Sequence, residues 1–523
     1  MTAAALARPA GFRPARFRPA RLLRLEIRHS PIVWALPVLA AIFYVNTYRT
    51  ATGLPPTWAN YAAVVTGPML VYLCVFAAGL AAWVGTREGR RKTGDLLATT
   101  ARAPWARQAA VLGATAFWMA LAFLAETAVI YVLAAGQATW GGPPLLPVAV
   151  GVVCTVTACA VGFTAGTLFP GRFTAPIVAV AVFVLEFVGV KSANNVRDYM
   201  YGGGGSTSPL VMPDQGLPRF VEDGVFYRVP ADVSIVQLMF MGGLLLVAAG
   251  LLGLAPAARV AGVRGVSLAG GRRSLAVVAA VAVGCGVAAS ATAFSLAGTA
   301  TYNQATNGWV IPALHDVASD RPVPYTPVCA RAAFPVCIHP AYAGYLDAMT
   351  AALEPAAAEI AGLPGAPVRA ELAVGFALPA AAGTTSVYAY SGTGQGVGGA
   401  WFGLSAAEAT TPSWEQTVQQ SFLFWFVSGP ALKSSGNPDP AQQAIADALL
   451  AKIGAPAPDL SPPQKGSAPP PTRSAAAAAQ AQATQISAAA SRFGSLTSPA
   501  RRAWLTTNVA ALRAGAVRLA QIP

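Results

Sequence analysis

Charge is scarce in this chain. Only 11% of its 523 residues are Asp, Glu, Lys or Arg, where a soluble globular protein carries roughly a quarter. Meanwhile 55% are hydrophobic and the mean hydropathy is +0.52. That shortage excludes an ordinary soluble domain and leaves a polytopic membrane protein. Histidine is scarcer still. There are three, His29, His315 and His339, and none stands four residues from another, so the HExxH zinc motif is absent. A phosphate-binding P-loop is missing as well: the nearest stretch ends in Lys92-Thr93 but has Arg91 where the motif requires Gly. The glycine clusters at 202–205 and 392–399 have no strand and helix around them to cradle a phosphate, and read as loops. The chain therefore offers no catalytic residue and no nucleotide site of its own.

What it does offer is apolar length. A helix of about 20 apolar residues crosses a ~30 Å hydrocarbon core, and such runs occur at 32–48, 61–84, 109–135, 146–169, 174–190, 234–255 and 274–296. Seven spans are expected, within an all-α polytopic membrane domain. The net charge of +14 would point to nucleic acid if it covered one folded surface, but it is concentrated between spans. Residues 1–30 hold seven Arg, residues 85–107 six Lys or Arg, and Arg172, Arg259, Arg264, Arg272 and Arg273 lie in the later loops of the same side. Those segments carry eighteen basic residues against Glu26, Glu88 and Asp95. The positive-inside rule puts them, and the N-terminus, in the cytoplasm. With seven crossings, everything after the last span lies outside, and nucleic acid is not a partner. High Ala, Gly, Pro and Arg with little Lys points to a GC-rich, actinobacterial type of source, hence to a bacterial plasma membrane.

The chain divides by composition. Residues 1–30 form a basic cytoplasmic segment, in which Leu22, Leu25 and Ile27 among arginines suit a helix at the headgroup surface. Residues 31–298 form the membrane domain, with a cytoplasmic connector at 86–107 and a long outer loop at 191–232. From 299 to 454 the pattern becomes that of an exported α+β domain: helical at 341–363, strand-like at 368–377 and 386–404, helical again at 414–427. Residues 455–473 are a Pro-rich linker, and 474–523 carry terminal helices. Cys329 and Cys337, in an oxidising setting, are expected to form a disulfide. The competing reading joins them with His315 and His339 around a metal, but the spacing fits no zinc pattern. Two carboxylates, Glu126 and Glu186, fall within spans, where an acid marks either function or a polar helix contact. Gly162 and Gly166 form a GxxxG pair that permits close helix packing.

The segment 86–108, TREGRRKTGDLLATTARAPWARQ, is a compact basic connector between two long spans. It resembles the cytosolic loop between the second and third spans of ABC-type drug and polysaccharide exporter permeases. The matching positions are Glu88, Gly94, Asp95, Leu96, Leu97, Ala98, Thr99 and Pro104. The family places Pro directly after the Thr; here Thr100, Ala101, Arg102 and Ala103 intervene. The resemblance implies a coupling helix that offers Leu96 and Leu97 to a groove of a separate ATPase subunit, which binds ATP and Mg, while this chain binds no cofactor directly. It also implies a second permease copy or homologue as a dimer partner and export of an unspecified substrate. The family has six spans, so the seventh carries an appendage. That exported domain faintly resembles aminopeptidase-like domains fused to some such permeases, with Trp414, Glu415, Gln416, Thr417 and Val418 where a zinc helix would hold its histidines. Two rivals stand beside this reading: a membrane-anchored extracytoplasmic binding or peptidase-like protein, and a secondary transporter coupled to protons through Glu126 or Glu186.

Overall fold

A computed structural model describes residues 19–51, 57–91, 104–194, 211, 228, 231–261, 270–303, 308–321, 323–372, 384–390, 400–403, 412–429, 439–455 and 473–523. The first helix, α1 (Pro19–Arg28), buries Leu22 and exposes Arg21, Arg24 and Arg28. Pro31 lacks the N–H that would continue it, and the Ser30 hydroxyl accepts the Ile32 N–H at 3.4 Å, so the chain turns here into a second apolar segment. That segment holds α2 (Leu36–Phe43) and ends in a π-turn, Tyr44–Tyr48. A break at Gly67-Pro68 separates α3 (Trp58–Thr66) from α4 (Pro68–Gly85), and the single turn α5 (Arg87–Arg90) follows. Then come α6 (Pro104–Gln137), α7 (Leu145–Leu168), α8 (Thr174–Asn194), α9 (Asp232–Ala261) and α10 (Gly270–Gly298).

Among the described residues, six stretches are long and apolar enough to cross a membrane: Ala20–Tyr48, Trp58–Arg90, Trp105–Gln137, Leu145–Leu168, Asp232–Leu254 and Ser274–Gly298. The remaining expected crossing is the 21-residue helix α8, whose apolar part with described side chains is Thr174–Leu185.

Glycine sets how these helices pack. A Cβ on Gly162 would meet the backbone of Ala78, and one on Gly166 the backbone of Ala82. At the end of the same contact, a Cβ on Gly85 would stand 2.5 Å from the Phe163 carbonyl oxygen. The expected GxxxG pair therefore brings α7 against α4 of the same chain, backbone to backbone. A second crossing of this kind joins α9 to α10, where a Cβ on Gly250 would lie 2.6 Å from the Ala279 oxygen and one on Gly286 2.5 Å from the Gly243 oxygen. Two hydroxyls tie the pairs together. Thr157 and Thr164, seven residues apart on α7, donate to the Met241 and Ala248 carbonyls of α9 at 3.0 and 3.1 Å.

After α10 the chain forms a small hairpin, β1 (Thr301–Asn303) with β2 (Gly308–Val310). A five-stranded sheet follows, ordered β3 (Val328–Cys329), β4 (Val336–Ile338), β5 (Arg369–Leu372), β6 (Thr384–Tyr390), β7 (Ala400–Gly403), antiparallel at β3–β4 and parallel thereafter. Helices α11 (Leu346–Ile360), α12 (Pro412–Ser428), α13 (Pro440–Lys452), α14 (Arg473–Ser495) and α15 (Ser498–Arg513) accompany it. The expected mixed α+β composition of the C-terminal region is thus present, with α13 an element the hydrophobic spacing did not single out. Residues beyond the linker belong to the same core. Phe493, Leu505, Val509 and Leu512 are buried with Met349, Phe422, Phe426 and Leu449. Arg501 pairs with Glu359 at 3.1 Å, and the Arg513 guanidinium donates to the Phe426 and Gly365 carbonyls at 2.9 and 3.0 Å.

Gly162→Leu and Gly166→Leu should each destabilise the protein by about 1–3 kcal/mol or more, the range for overpacking a tight interior. Gly136, which has nothing within 4 Å of its would-be Cβ, should accept Ala at no cost. Thermal melting of the detergent-solubilised chain distinguishes the two cases.

Candidate functional site

The long helix α6, about 50 Å at 1.5 Å per residue, has two differently built ends. Near its start sit α1 and the connector. The Trp118 indole N–H donates to the Ile27 carbonyl at 2.9 Å, and Gly113 faces Leu23. At the base of the connector, the Arg107 guanidinium makes a two-pronged contact with the Glu88 carboxylate, 2.8 Å from Nε and 3.2 Å from a terminal nitrogen. This pair joins the two strands of chain that enter and leave the loop. Gly89 packs against Pro170 of the connector between α7 and α8, so the two loops on this face touch. Arg90 lies 5.9 Å from the centre of the Trp83 ring and Arg172 4.8 Å from that of Phe173. Arg21, Arg24, Arg28, Arg87, Arg90 and Arg172 therefore share one face of the membrane domain. Gly94, Asp95, Leu96, Leu97 and Thr99 lie outside the described residues. Pro104 opens α6, where its fixed φ suits a first helical position.

Within the spans, Glu126 of α6 is buried and accepts the Tyr72 hydroxyl of α4 at 2.9 Å. Thr47, in the π-turn of the first span, is fully buried beside Tyr72. Three irregular or polar features thus converge: the π-turn, the Gly67-Pro68 break one helical turn before Tyr72, and a carboxylate. Glu186 lies on α8 beyond the part whose side chains are described. Closer to the far end of α6, the Tyr61 hydroxyl donates to Gln137 at 3.1 Å.

That far end carries the α+β domain. The Thr139 hydroxyl donates to the Pro340 carbonyl at 2.6 Å, and the Trp140 ring meets the His339 ring edge-on at 5.0 Å. His339 is fully buried; its Nδ1 accepts the Ala341 N–H at 3.0 Å, and Tyr325 lies 4.2 Å away, ring to ring. Burial pushes the imidazole down to about 4. A second contact forms at the first residue of α9. Asp232 is buried and accepts the Ile311 N–H at 2.7 Å. His315 stands 3.6 Å from the same Asp232 oxygen through Nδ1, and 3.0 and 3.1 Å from the two Asp320 oxygens through Nε2. The sequence pattern did not show that His315 and His339 each meet the helical membrane domain. Their rarity was the available signal, since two of three histidines sit within 25 residues of each other.

The expected disulfide is present, joining Cys329 to Cys337 across the β3–β4 pair. Among the described residues no group of three or more His, Cys, Asp and Glu side chains is arranged to hold a metal. The segment compared with a zinc helix lies on α12, where Val418 is buried and Glu415 exposed.

Two outcomes test this geometry. Arg107→Glu should open the connector to protease within 86–107, and the swapped pair Glu88→Arg with Arg107→Glu should close it again. Global stability should move by less than about 1 kcal/mol, as for other partly exposed ion pairs. His339 has a folded-state value below its unfolded one near 6.5, so the folded state binds fewer protons in between. Its contribution is complete above that value and is lost as pH falls towards about 4. Melting temperature should drop over that window in the native chain and stay flatter in His339→Asn, which keeps an acceptor for the Ala341 N–H. Compared with known proteins, the chain matches no family model, no curated protein and no solved structure.

Proposed function

We propose that this chain is the membrane-spanning permease subunit of an ABC-type exporter, driven by a separately encoded ATPase that docks on the connector at 86–107. The observation that carries the reading is the Glu88–Arg107 pair, which joins the end of α4 to the start of α6 as one stalk at the base of the connector whose sequence holds Leu96 and Leu97. A loop built this way delivers a push to two spans at once. Apolar residues presented by a short amphipathic segment suit a groove on a partner. The face that carries the stalk also carries the exposed arginines of α1, α5 and the 169–173 connector. By the positive-inside rule that face is cytoplasmic, and the outer domain then stands outside the plasma membrane.

In this reading ATP and Mg bind to the partner, closure of two ATPase copies draws together the stalks of two permease copies, and the spans switch between inward- and outward-open packings. This chain's own part is mechanical. The backbone contact of α4 with α7, and the hydroxyl ties from α7 to α9, give a continuous route from the stalk into the rest of the bundle. The exported domain, seated at the far end of α6 and α9, stands where it caps the outer mouth or receives substrate. The buried Tyr72–Glu126 pair favours one second reading, a transporter coupled to protons through Glu126.

Recovery of the tagged full-length protein from its native membrane should bring an ABC-class ATPase with it, and Leu96→Asp with Leu97→Asp should abolish that recovery and transport together. Glu126→Gln should reduce transport only modestly. Transport by the purified chain alone in vesicles, lost in Glu126→Gln, would establish the second reading instead.

A further inference from the structure

The seat of the outer domain on α9 contains an imidazole between two carboxylates, one from each side of the junction. Asp232 is the first residue of α9 and is only 2% exposed. Its Oδ2 receives the Ile311 N–H, while its Oδ1 has no hydrogen-bond partner among the described residues. The Ile311 side chain is itself fully buried in an apolar cluster with Val233 and Val236 of α9 and Ala293 and Ala297 of α10. A buried carboxylate with one backbone donor is costly unless a positive charge stands near it. The helix N-terminus supplies part of that charge. The only described side chain that supplies the remainder is His315, whose Nδ1 lies 3.6 Å from Asp232 and whose Nε2 lies 3.0 Å from Asp320.

A neutral imidazole has one N–H and one lone pair, so it satisfies one carboxylate and turns a lone pair on the other; the imidazolium hydrogen-bonds Asp320 and sets a positive charge 3.6 Å from Asp232. The described charged groups facing His315 are Asp232 from α9 and Asp320 from the turn Val317–Asp320. Neighbouring Asp316 is occupied in capping that turn through the Ala318 N–H at 3.0 Å. We propose that Asp232, His315 and Asp320 form a proton-dependent latch that fastens the outer domain to the end of α9, closed by the imidazolium and loosened when the ring becomes neutral. The Thr139–Pro340 and Trp140–His339 contacts form a second attachment that carries no such bridge, so opening the latch swings the 308–321 segment away and leaves the domain tethered at α6. Because α9 is bonded to α7 through Thr157 and Thr164, the latch loads the same helices that lead to the stalk. This inference rests on the junction geometry alone and stands whether or not an ATPase docks at the other end.

Hydrogen exchange of the full-length protein in lipid nanodiscs, corrected for intrinsic rates, reads the latch through peptides spanning 308–321. Between about pH 6 and about pH 8.5, across which an imidazole loses its proton, exchange of these amides should speed up by about tenfold in the native chain, the scale of a local opening. His315→Gln should exchange fast at both values, and His315→Arg, with a fixed charge, should stay slow at both. Peptides from α11 report whether the domain remains folded in each variant. If His315→Gln loses that protection too, Asp320→Asn takes its place and should show the same fast, pH-independent exchange at 308–321. Native protection that does not change with pH, or a glutamine or asparagine variant that keeps native protection at about pH 6, would overturn the proposal.

Discussion

Everything in the membrane domain hangs on how closely α4 and α7 approach. With only hydrogen at Gly162, Gly166 and Gly85, the two backbones touch along about two turns, and the dispersion contacts of that seam replace the hydrophobic effect, which gives no force between helices already surrounded by lipid. Helix α7 is then fixed firmly enough to hold α9 through two hydroxyl bonds, and α9 holds α10 through a second glycine seam.

The bundle so assembled has a polar axis. At one end lie exposed arginines and the Glu88–Arg107 pair; at the other lie a buried carboxylate, two histidines and a folded domain. Burial separates the chemistry of the two ends. Glu88 and Arg107 are partly exposed, so their pairing sets geometry more than energy. Asp232 and His339 are nearly or fully withdrawn from water, so their states bear directly on how the α+β domain sits against the helices. Between the ends, Tyr72 and Glu126 provide a hydrogen-bonded acid inside the spans, at the level where the second span breaks at Gly67-Pro68 and the first relaxes into a π-turn.

Much of this was legible in the residues because membrane constraints are blunt. A helix in hydrocarbon must be long and apolar, so composition alone pointed to the six long apolar helices, although the first of them begins at Ala20 rather than at 32. The disulfide was legible from two closely spaced cysteines outside the apolar runs, and the Gly162/Gly166 spacing announced a close contact without naming its partner. Less was legible in the α+β domain. Helix α13 is short and Ala-rich, and its apolar residues are buried all round, so it lacks the one-sided spacing by which a surface helix is recognised. Nor did the Pro-rich segment at 455–473 reveal that α14 and α15 return to the same core.

The sequence by itself determined what each stretch is: its crossing length, its basic or apolar character, its capped ends and the oxidised cysteine pair. Those follow from local composition acting against water or lipid. Which stretches meet was decided only by the tertiary structure. Glu88 finds Arg107 nineteen positions away, Gly162 finds Ala78, and Asp232 faces a histidine more than eighty residues downstream. Such meetings depend on the angles at which packed helices cross and on where a returning chain is seated, quantities that no single segment encodes.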